Sequence, residues 1–232
     1  MPRAAILAAG EGSRLAASGI DAPKPLVGVH GEPMIVRLAR QLREVGVRET
    51  IALVHPRAKD AARLLDEAGL DVRVRWETTP GSFHSLCALL PDLAGEPFLL
   101  CLVDSVFETS ELGRFVRAAA ESRAAALVAV TSFVHDEAPL RVLVGADGRV
   151  TAIGTPPAAS SPWVTGGVYW FGEGVAESAA EARAGGTLRL RHFLSRLVQS
   201  GLDVRAHDLG RVVDVDTAAD LAHLATPGVA GR

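Results

Sequence analysis

A segment near the start of the chain carries the residue types that phosphate chemistry needs. Residues 7–14 read Leu-Ala-Ala-Gly-Glu-Gly-Ser-Arg and follow directly on a short apolar run. Small residues let a ligand lie against the main chain, and glycines leave backbone amides free to face phosphate oxygens. Arg14 adds a positive charge at the end of the segment, so these residues predict a phosphate-binding loop.

Lysine is rare in this chain, which makes Lys24 conspicuous. Of the 24 basic residues, 22 are arginines and only Lys24 and Lys59 are lysines. Lys59 lies in a run typical of a solvated helix face, whereas Lys24 stands between two prolines, in what we expect to be an exposed loop. A lysine is a compact point charge that can follow a moving phosphoryl group, and an arginine gives a fixed bidentate grip. We therefore predict that Lys24 and Arg14 are catalytic.

Three aspartates follow or precede predicted elements where they could take part in chemistry. Asp104 ends an apolar run that reads as a strand buried on both faces, and ligands of parallel sheets bind outside the carboxyl ends of the strands. The alternative is that Asp104 caps the next helix. Asp214 and Asp216 stand just before a short helix near the C-terminus, and Asp216 is a candidate cap for that helix.

The elements that must position these residues alternate between strands and helices up to about residue 130. The pattern predicts strands over 3–8, 51–54, 72–76, 98–103 and 125–130, and helices over 33–45, 58–68, 82–93 and 111–122. Glycines and prolines make residues 9–25 read as one long loop. The alternation predicts an α/β fold, a three-layer Rossmann-like arrangement with a mixed, mostly parallel sheet.

The pattern changes in the second part of the chain. A hairpin is predicted over 141–153, followed by a strand over 164–171, helices over 173–184 and 188–200, a strand over 203–208 and a helix over 218–224. We expect one domain over 1–225, with halves at about 1–130 and 131–225, and a frayed tail over 226–232.

Composition excludes several classes of protein. The 232 residues are 48% hydrophobic and 22% charged with a net charge of −3, so we expect a folded protein without a nucleic-acid or membrane partner. We expect no membrane-spanning segment and no signal peptide, because the apolar runs are short. Cys87 and Cys101 stand in apolar contexts and predict buried thiols and a cytoplasmic location. The oligomeric state stays open.

The motifs together resemble a known family. Residues 7–14, followed at the right spacing by Pro23-Lys24-Pro25-Leu26, are similar to the opening of the nucleotidyltransferases that make nucleoside-diphosphate sugars and related activated alcohols. The resemblance extends from about residue 5 to 221 and implies the nucleotide-diphospho-sugar transferase fold, with the nucleotide bound in the first half and the acceptor in the second.

The resemblance also implies roles for individual residues. It places Mg²⁺ on Asp104 and Asp214, whereas Asp216 replaces a residue that is commonly glycine in the family. The implied nucleotide-binding residues are Leu7, Ala8, Ala9, Gly10, Gly12, Ser82 and Ser85, and the implied acceptor-binding residues are Gly166, Gly167 and Tyr169.

One branch of the family fits better than the others. Residues 78–86 are most similar to the branch that transfers CMP from CTP to phosphocholine and related alcohol phosphates, although the asparagines common there are absent. The resemblance thus implies CTP, with UTP second, and an acceptor that carries a phosphate or phosphonate. The alternative is that residues 78–86 are an ordinary helix start with Ser82 as its cap.

The chain departs from the sugar-activating members at one point. Their second lysine, after the middle hairpin, is missing, so the charge would have to come from an arginine such as Arg141, Arg189 or Arg191. The aromatic side chains of Trp163, Tyr169 and Trp170 could wall the acceptor pocket and favour a cationic group, or simply belong to the core.

Four other functions remain as alternatives. A sugar-1-phosphate uridylyl- or guanylyltransferase would use the same motifs. A glycosyltransferase of related fold would need a second aspartate two residues after Asp104, where Val106 stands. A dinucleotide-binding protein would need a small residue at Leu15 and a helix opening at once. A non-catalytic nucleotide-binding regulator would have little use for the charged residues that the motifs retain.

Overall fold

The structure, a computed structural model, describes residues 1–93, 95–135, 138–172 and 174–225. The predicted tail at 226–232 lies outside the described residues. The strands are β1 Arg3–Ala8, β2 Gly28–Val29, β3 Glu32–Pro33, β4 Glu49–Val54, β5 Val72–Trp76, β6 Phe98–Leu102, β7 Ser105–Val106, β8 Ala126–Thr131, β9 Val142–Val144, β10 Val150–Ile153, β11 Val164–Phe171, β12 Val204–Asp208 and β13 Val213–Asp214. The helices are α1 Ser13–Ala17, α2 Met34–Glu44, α3 Ala61–Glu67, α4 Ser82–Leu93, α5 Thr109–Glu121, α6 Val175–Ala184, α7 Leu190–Gln199 and α8 Ala218–Ala225.

Seven of the strands form a central mixed sheet in the order β12-β8-β11-β6-β1-β4-β5. All neighbours in this sheet are parallel except β11, which runs antiparallel to both β6 and β8. The start of β11 therefore lies at the same edge of the sheet as the ends of β1 and β6. This topology confirms the predicted α/β fold class.

Apolar side chains on both faces of the sheet make the fold three layers deep. In β1, Ala4 and Ile6 face one cluster of buried residues, while Ala5 and Leu7 face the other, because successive strand side chains point to opposite faces. The first cluster includes side chains of α2, α3 and α5, and the second includes those of α4, α6 and α7. Both cysteines are buried free thiols, as predicted. Across the described ranges, no helix has the length and apolar character of a membrane span.

The long loop predicted over 9–25 is wrong in one respect, since it contains a helix. Gly12 adopts a left-handed conformation with φ 68°, and α1 begins at the next residue. Leu15 is fully buried and anchors this five-residue helix to the core. A helix this short shows no apolar period in a sequence, so the surrounding glycines and prolines dominate the pattern.

Candidate active site

Two carboxylates meet where β6 ends. Asp104 follows β6, and the short pair of strands β7 and β13 sets Asp214 opposite Ser105. The Val215 amide donates to the Asp104 carbonyl over 2.9 Å, and this contact ties the C-terminal element to the end of the central strand. The two aspartates that the resemblance assigns to metal are thus brought together by backbone pairing.

Lys24 lies between two of the carboxylates. Its Nζ is 2.6 Å from Asp104 Oδ2 and 2.5 Å from Asp216 Oδ1. Burial lowers the pKa of the Lys24 ammonium, but the charges of Asp104 and Asp216 outweigh burial, so its pKa lies above the ordinary value. Lys24 stays protonated at any physiological pH.

The expectation that Lys24 is an exposed loop residue is wrong. Its side chain is only 11% exposed. The reason is local, because Lys24–Leu26 form one turn of 3-10 helix and the preceding Pro23 has a fixed φ of −53°. This turn directs the side chain inward, under the loop that follows β1.

Asp216 belongs to the site and does not cap helix α8. Its Oδ2 lies 2.6 Å from Arg14 Nη2, so one carboxylate holds both Arg14 and Lys24. The start of α8 is instead held by Asp220 in its first turn, whose Oδ2 accepts hydrogen bonds from the amides of Asp216 and Thr217 over 2.9 and 2.7 Å. The spacing Thr217-x-x-Asp220 is similar to a capping box, and this pattern in the sequence indicates Asp220, not Asp216, as the residue that stabilises the helix start.

Asp104 and Asp214 have the chemistry of a site for a hard cation. Asp104 Oδ1 is buried and has no hydrogen-bond partner in the described chain. Asp214 Oδ1 accepts a hydrogen bond from the Ser105 hydroxyl over 2.7 Å. Burial, followed by the charge of Asp104, raises the pKa of Asp214 to about 7. An orphaned carboxylate oxygen beside a second carboxylate fits Mg²⁺, which prefers oxygen ligands.

The protein alone offers a partial ligand set. Among the residues described, no group of three or more His, Cys, Asp or Glu side chains is arranged to hold a metal ion. Mg²⁺ is commonly bound by one or two carboxylates together with substrate phosphates. The arrangement therefore suits an ion that Asp104 and Asp214 share with a phosphorylated ligand.

A first cavity, of about 190 Å³, lies along the loop after β1. We call this cavity the nucleotide pocket, because four of the residues predicted to bind the nucleotide line it, namely Leu7, Ala8, Gly10 and Gly12. Arg14, Lys24, Asp104 and Asp216 also line it. A Cβ at Gly12 would lie 3.3 Å from Lys24 Cβ, so this glycine lets the loop after β1 pack against the 3-10 turn at Lys24–Leu26.

The other predicted nucleotide residues lie outside this pocket. Ala9, Ser82 and Ser85 are not among its lining residues, and Ser82 lines the second cavity described below. Ser85 is buried, with its Oγ 2.7 Å from Thr79 Oγ1, so it supports the segment before α4 from beneath. The Ser82 hydroxyl accepts a hydrogen bond from the Leu190 amide over 3.0 Å and therefore caps α7, not its own helix.

A second cavity, of about 310 Å³, adjoins the first at the charged cluster of Arg14, Lys24, Asp104 and Asp216, and we call it the acceptor cleft. Its lining includes Arg14, Lys24, Asp104, Asp214 and Asp216, shared in part with the nucleotide pocket. Several further lining residues carry no recognisable signal in the sequence, and these are Thr131, Phe133, His135 and Thr165. His135 also lies close to Asp214, with Nε2 3.1 Å from the Asp214 carbonyl oxygen.

Of the aromatic residues expected at the cleft, the structure places only Tyr169 in its lining. Tyr169 is almost completely buried, and burial raises the pKa of its hydroxyl. Trp163 and Trp170 instead pack against the two apolar clusters.

Among the arginines considered for the missing lysine, Arg191 lines the cleft, whereas the Arg141 guanidinium donates to the Ser161 carbonyl over 2.5 Å.

The two glycines of β11 are buried, and neither is among the residues that line the acceptor cleft. Gly167 has φ 69°, and a Cβ there would lie 1.8 Å from Ser105 Oγ. Ser105 is the residue that donates to Asp214. The acceptor contact predicted for Gly166 and Gly167 stays a prediction; in this structure Gly167 packs against Ser105 beside Asp214.

Replacing Gly167 with alanine is expected to weaken both folding and metal binding. The methyl group must displace Ser105, and the left-handed backbone adds about 1 kcal/mol of strain. Gly174→Ala is the matched control, since Gly174 has φ 83° but a Cβ there would meet nothing within 4 Å. Thermal unfolding with and without Mg²⁺ checks this. Equal behaviour of the two variants would show that the contact with Ser105 is unimportant.

Comparison with known proteins identifies the family. The family model described as the MobA-like NTP transferase domain matches residues 4–200. The chain belongs to the MobA-like NTP transferase family. The matched range contains the loop after β1, Lys24, Asp104 and most of the acceptor cleft, and it confirms the expected kinship with nucleotidyltransferases.

Curated relatives of this MobA-like domain differ in nucleotide and acceptor. A UTP–glucose-1-phosphate uridylyltransferase of Haloferax volcanii is 28% identical over 88% of this chain and 86% of its own length. A CMP-5′-(3-aminopropyl)phosphonate synthase of Streptomyces rubellomurinus is 32% identical over 66% of this chain. A probable mannose-1-phosphate guanylyltransferase of Oryza sativa is 33% identical over 46% of this chain. The match spans 32% of that guanylyltransferase and 23% of the synthase.

A solved structure supports the fold of the MobA-like domain over its full length. The inositol-1-phosphate CTP transferase from T. maritima superposes with a TM-score of 0.81 and 24% identity, covering 100% of this chain and 98% of that one. The similarity confirms the Rossmann-like arrangement of the central sheet.

Proposed function

We propose that this domain transfers a nucleotidyl group, CMP from CTP, to a small molecule that carries a phosphate or phosphonate, with Mg²⁺ as cofactor. One observation carries the proposal. Lys24 is held between Asp104 and Asp216 at the place where the nucleotide pocket and the acceptor cleft meet. Two cavities that share one cluster of cations and carboxylates suit a reaction that joins two phosphates.

The reaction needs neutralisation of charge more than acid–base chemistry. An oxygen of the acceptor phosphate attacks the α-phosphorus of the nucleotide, and a new P–O bond forms. The bond from the α-phosphorus to the bridging oxygen breaks, and pyrophosphate leaves with that electron pair. The attacking oxygen is already anionic, so no general base is required, and catalysis rests on positioning and electrostatic stabilisation.

Each charged residue has a place in this scheme. Arg14, which is 63% exposed at the mouth of the pocket, binds the outer phosphates, and buried Lys24 stabilises charge at the α-phosphate. Asp104 and Asp214 would hold a metal ion, which would supply charge neutralisation for phosphate oxygens. Asp216 holds Arg14 and Lys24 in position before the nucleotide arrives, and the triphosphate then takes over part of its role as their partner.

Support for CTP comes from the sequence before α4 and from one relative. Residues 78–86 are most similar to the cytidylyltransferase branch, and the aminopropylphosphonate synthase carries CMP in its name. Ala8, Ala9, Ser82 and Ser85, which the sequence predicts near the base, are small and neutral, which leaves backbone groups free to pair with a pyrimidine edge. UTP is the second candidate.

A sugar-1-phosphate uridylyltransferase is the second candidate function. The observation that favours it is the Haloferax relative, which is matched over most of its length. The same two cavities and the same charged cluster serve this reaction, so the candidates differ only in the base and in the body of the acceptor.

Release of pyrophosphate across a matrix of substrates tests the proposal. The matrix crosses CTP, UTP, GTP and ATP with phosphocholine, inositol 1-phosphate, glucose 1-phosphate and an aminoalkylphosphonate, all with Mg²⁺. We expect the highest kcat/KM with CTP and an alcohol phosphate or phosphonate. A higher kcat/KM with GTP or ATP would contradict the pyrimidine assignment, and no pyrophosphate in any combination would contradict the transferase.

A further inference from the structure

The positive charge of the acceptor cleft comes from three residues, and two of them are already paired. Arg14 and Lys24 both contact Asp216. The third is Arg191, whose exposed guanidinium makes no hydrogen bond or ion pair within the described part of the chain. Arg191 is therefore the cleft cation that is free to bind an incoming anion.

Arg191 is placed where an acceptor would need it. It is the second residue of α7 and lines the cleft together with Thr131, Thr165 and Tyr169. Its charge reaches the Tyr169 hydroxyl, where it opposes the rise in pKa that burial causes. Among the described residues, the lining of the cleft thus carries one unpaired cation and several hydroxyl groups.

The position of Arg191 is fixed by contacts between the first turns of α4 and α7. The Leu190 amide donates to the Ser82 hydroxyl over 3.0 Å, and the Phe83 amide donates to the Leu188 carbonyl over 3.2 Å. Gly81 allows this approach, because a Cβ there would lie 2.5 Å from the Leu188 carbonyl oxygen. Each helix start thereby satisfies an amide of the other, and α7 cannot shift without breaking both contacts.

We propose that Arg191 binds the phosphate or phosphonate of the acceptor, and that Ser82 is the positioning residue that holds Arg191 in the cleft. The inference rests on the proposed function and names the residue that makes up for the missing second lysine. A planar guanidinium binds two oxygens of one phosphate at once, so it fixes the acceptor in orientation as well as in place. Arg141 is committed to the Ser161 carbonyl, and Arg189 lies outside the lining of the cleft.

Direct binding tests the role of Arg191 without any turnover. Glucose 1-phosphate, inositol 1-phosphate and inorganic phosphate are titrated calorimetrically into the wild type, Arg191→Ala and Arg191→Lys. Arg189→Ala is the matched control, an arginine two residues away and outside the cleft lining. We expect Arg191→Ala to weaken the best of these ligands by about 10- to 100-fold, as for loss of a charged hydrogen bond. Arg191→Lys should retain part of the affinity, and Arg189→Ala should retain all of it.

Ser82 is tested by its conservative variant. Ser82→Ala should weaken binding of the phosphate monoester, and Ser82→Thr, which keeps the hydroxyl, should restore it. Equal monoester affinity in the wild type and Ser82→Ala, or no rescue by threonine, would contradict the positioning role.

The outcomes separate this inference from the proposed function. Equal monoester affinity in the wild type and Arg191→Ala, or no monoester binding by the wild type, would overturn the inference. Binding that depends on Arg191 in a protein that releases no pyrophosphate would support the inference and overturn the proposed transfer reaction.

Discussion

Replacing Lys24 with methionine is expected to lower kcat by about 100- to 1,000-fold, the usual effect of removing one pre-positioned donor from a reacting phosphate. The same change should also destabilise the protein. It leaves Asp104 and Asp216 facing each other without the ammonium that lies within 2.6 Å of both. Breaking a buried ion pair by removing one partner costs about 3 kcal/mol. A lysine in an exposed loop would contribute little to stability, but the Lys24 side chain is buried.

The metal dependence of stability distinguishes an electrostatic role of Lys24 from a simple packing defect. In EDTA the Tm of Lys24→Met should fall well below that of the wild type, and Mg²⁺ should raise it more than it raises the wild type, because a cation replaces the lost charge. Adding Asp216→Asn should recover stability but not activity. Lys59→Met is the matched control, since Lys59 is exposed and is the only other lysine. An unchanged kcat in Lys24→Met would remove Lys24 from the mechanism, and a Tm insensitive to Mg²⁺ would contradict the electrostatic role.

Asp104→Asn and Asp214→Asn are each expected to abolish Mg²⁺-dependent activity, with a loss of about 1,000-fold or more, as for residues that act as one unit. The double variant should be barely worse than either single one. The reason is structural, because the backbone pairing of β7 with β13 and the contact of Val215 with Asp104 set the two carboxylates at one place.

The measurement is kcat for the three variants, with Mn²⁺ binding followed by electron paramagnetic resonance as a readout independent of turnover. Asp66→Asn, an exposed carboxylate on α3, is the control. Losses that multiply in the double variant, or Mn²⁺ affinity retained in both single ones, would show that the two aspartates serve separate roles.

The sequence contained enough to predict the architecture and the charged centre. Strand β11 is predicted residue for residue, because β-branched and aromatic residues fill it, and the alternation of strands and helices indicates the layered sheet. Arg14, Lys24, Asp104 and Asp214 come from different parts of the chain yet meet in one cluster. Arg14, Lys24 and Asp104 are recognisable because each stands beside a turn or a strand end, and Asp214 is recognisable through the resemblance to the family.

Features that depend on contacts between distant segments could not be predicted in this way. Nothing local reveals that Ser82 caps a helix that begins at Leu190, or that Gly167 is required by Ser105, because both contacts join segments far apart in the chain. The burial of Lys24 likewise depends on Asp216, 192 residues away. Local patterns therefore identified the residues whose side chains could take part in binding or catalysis, and the tertiary structure decided which of them face the cavities.

The fate of the nucleotide phosphates tests the central claim most directly. CTP labelled separately at the α-phosphate and at the γ-phosphate is incubated with Mg²⁺ and the preferred acceptor, and the products are separated. Nucleotidyl transfer predicts that all the α-label enters a cytidine-containing product joined to the acceptor, and that the γ-label appears as pyrophosphate in equal amount. Release of the γ-label as orthophosphate, or its transfer to the acceptor, would contradict nucleotidyl transfer at this site.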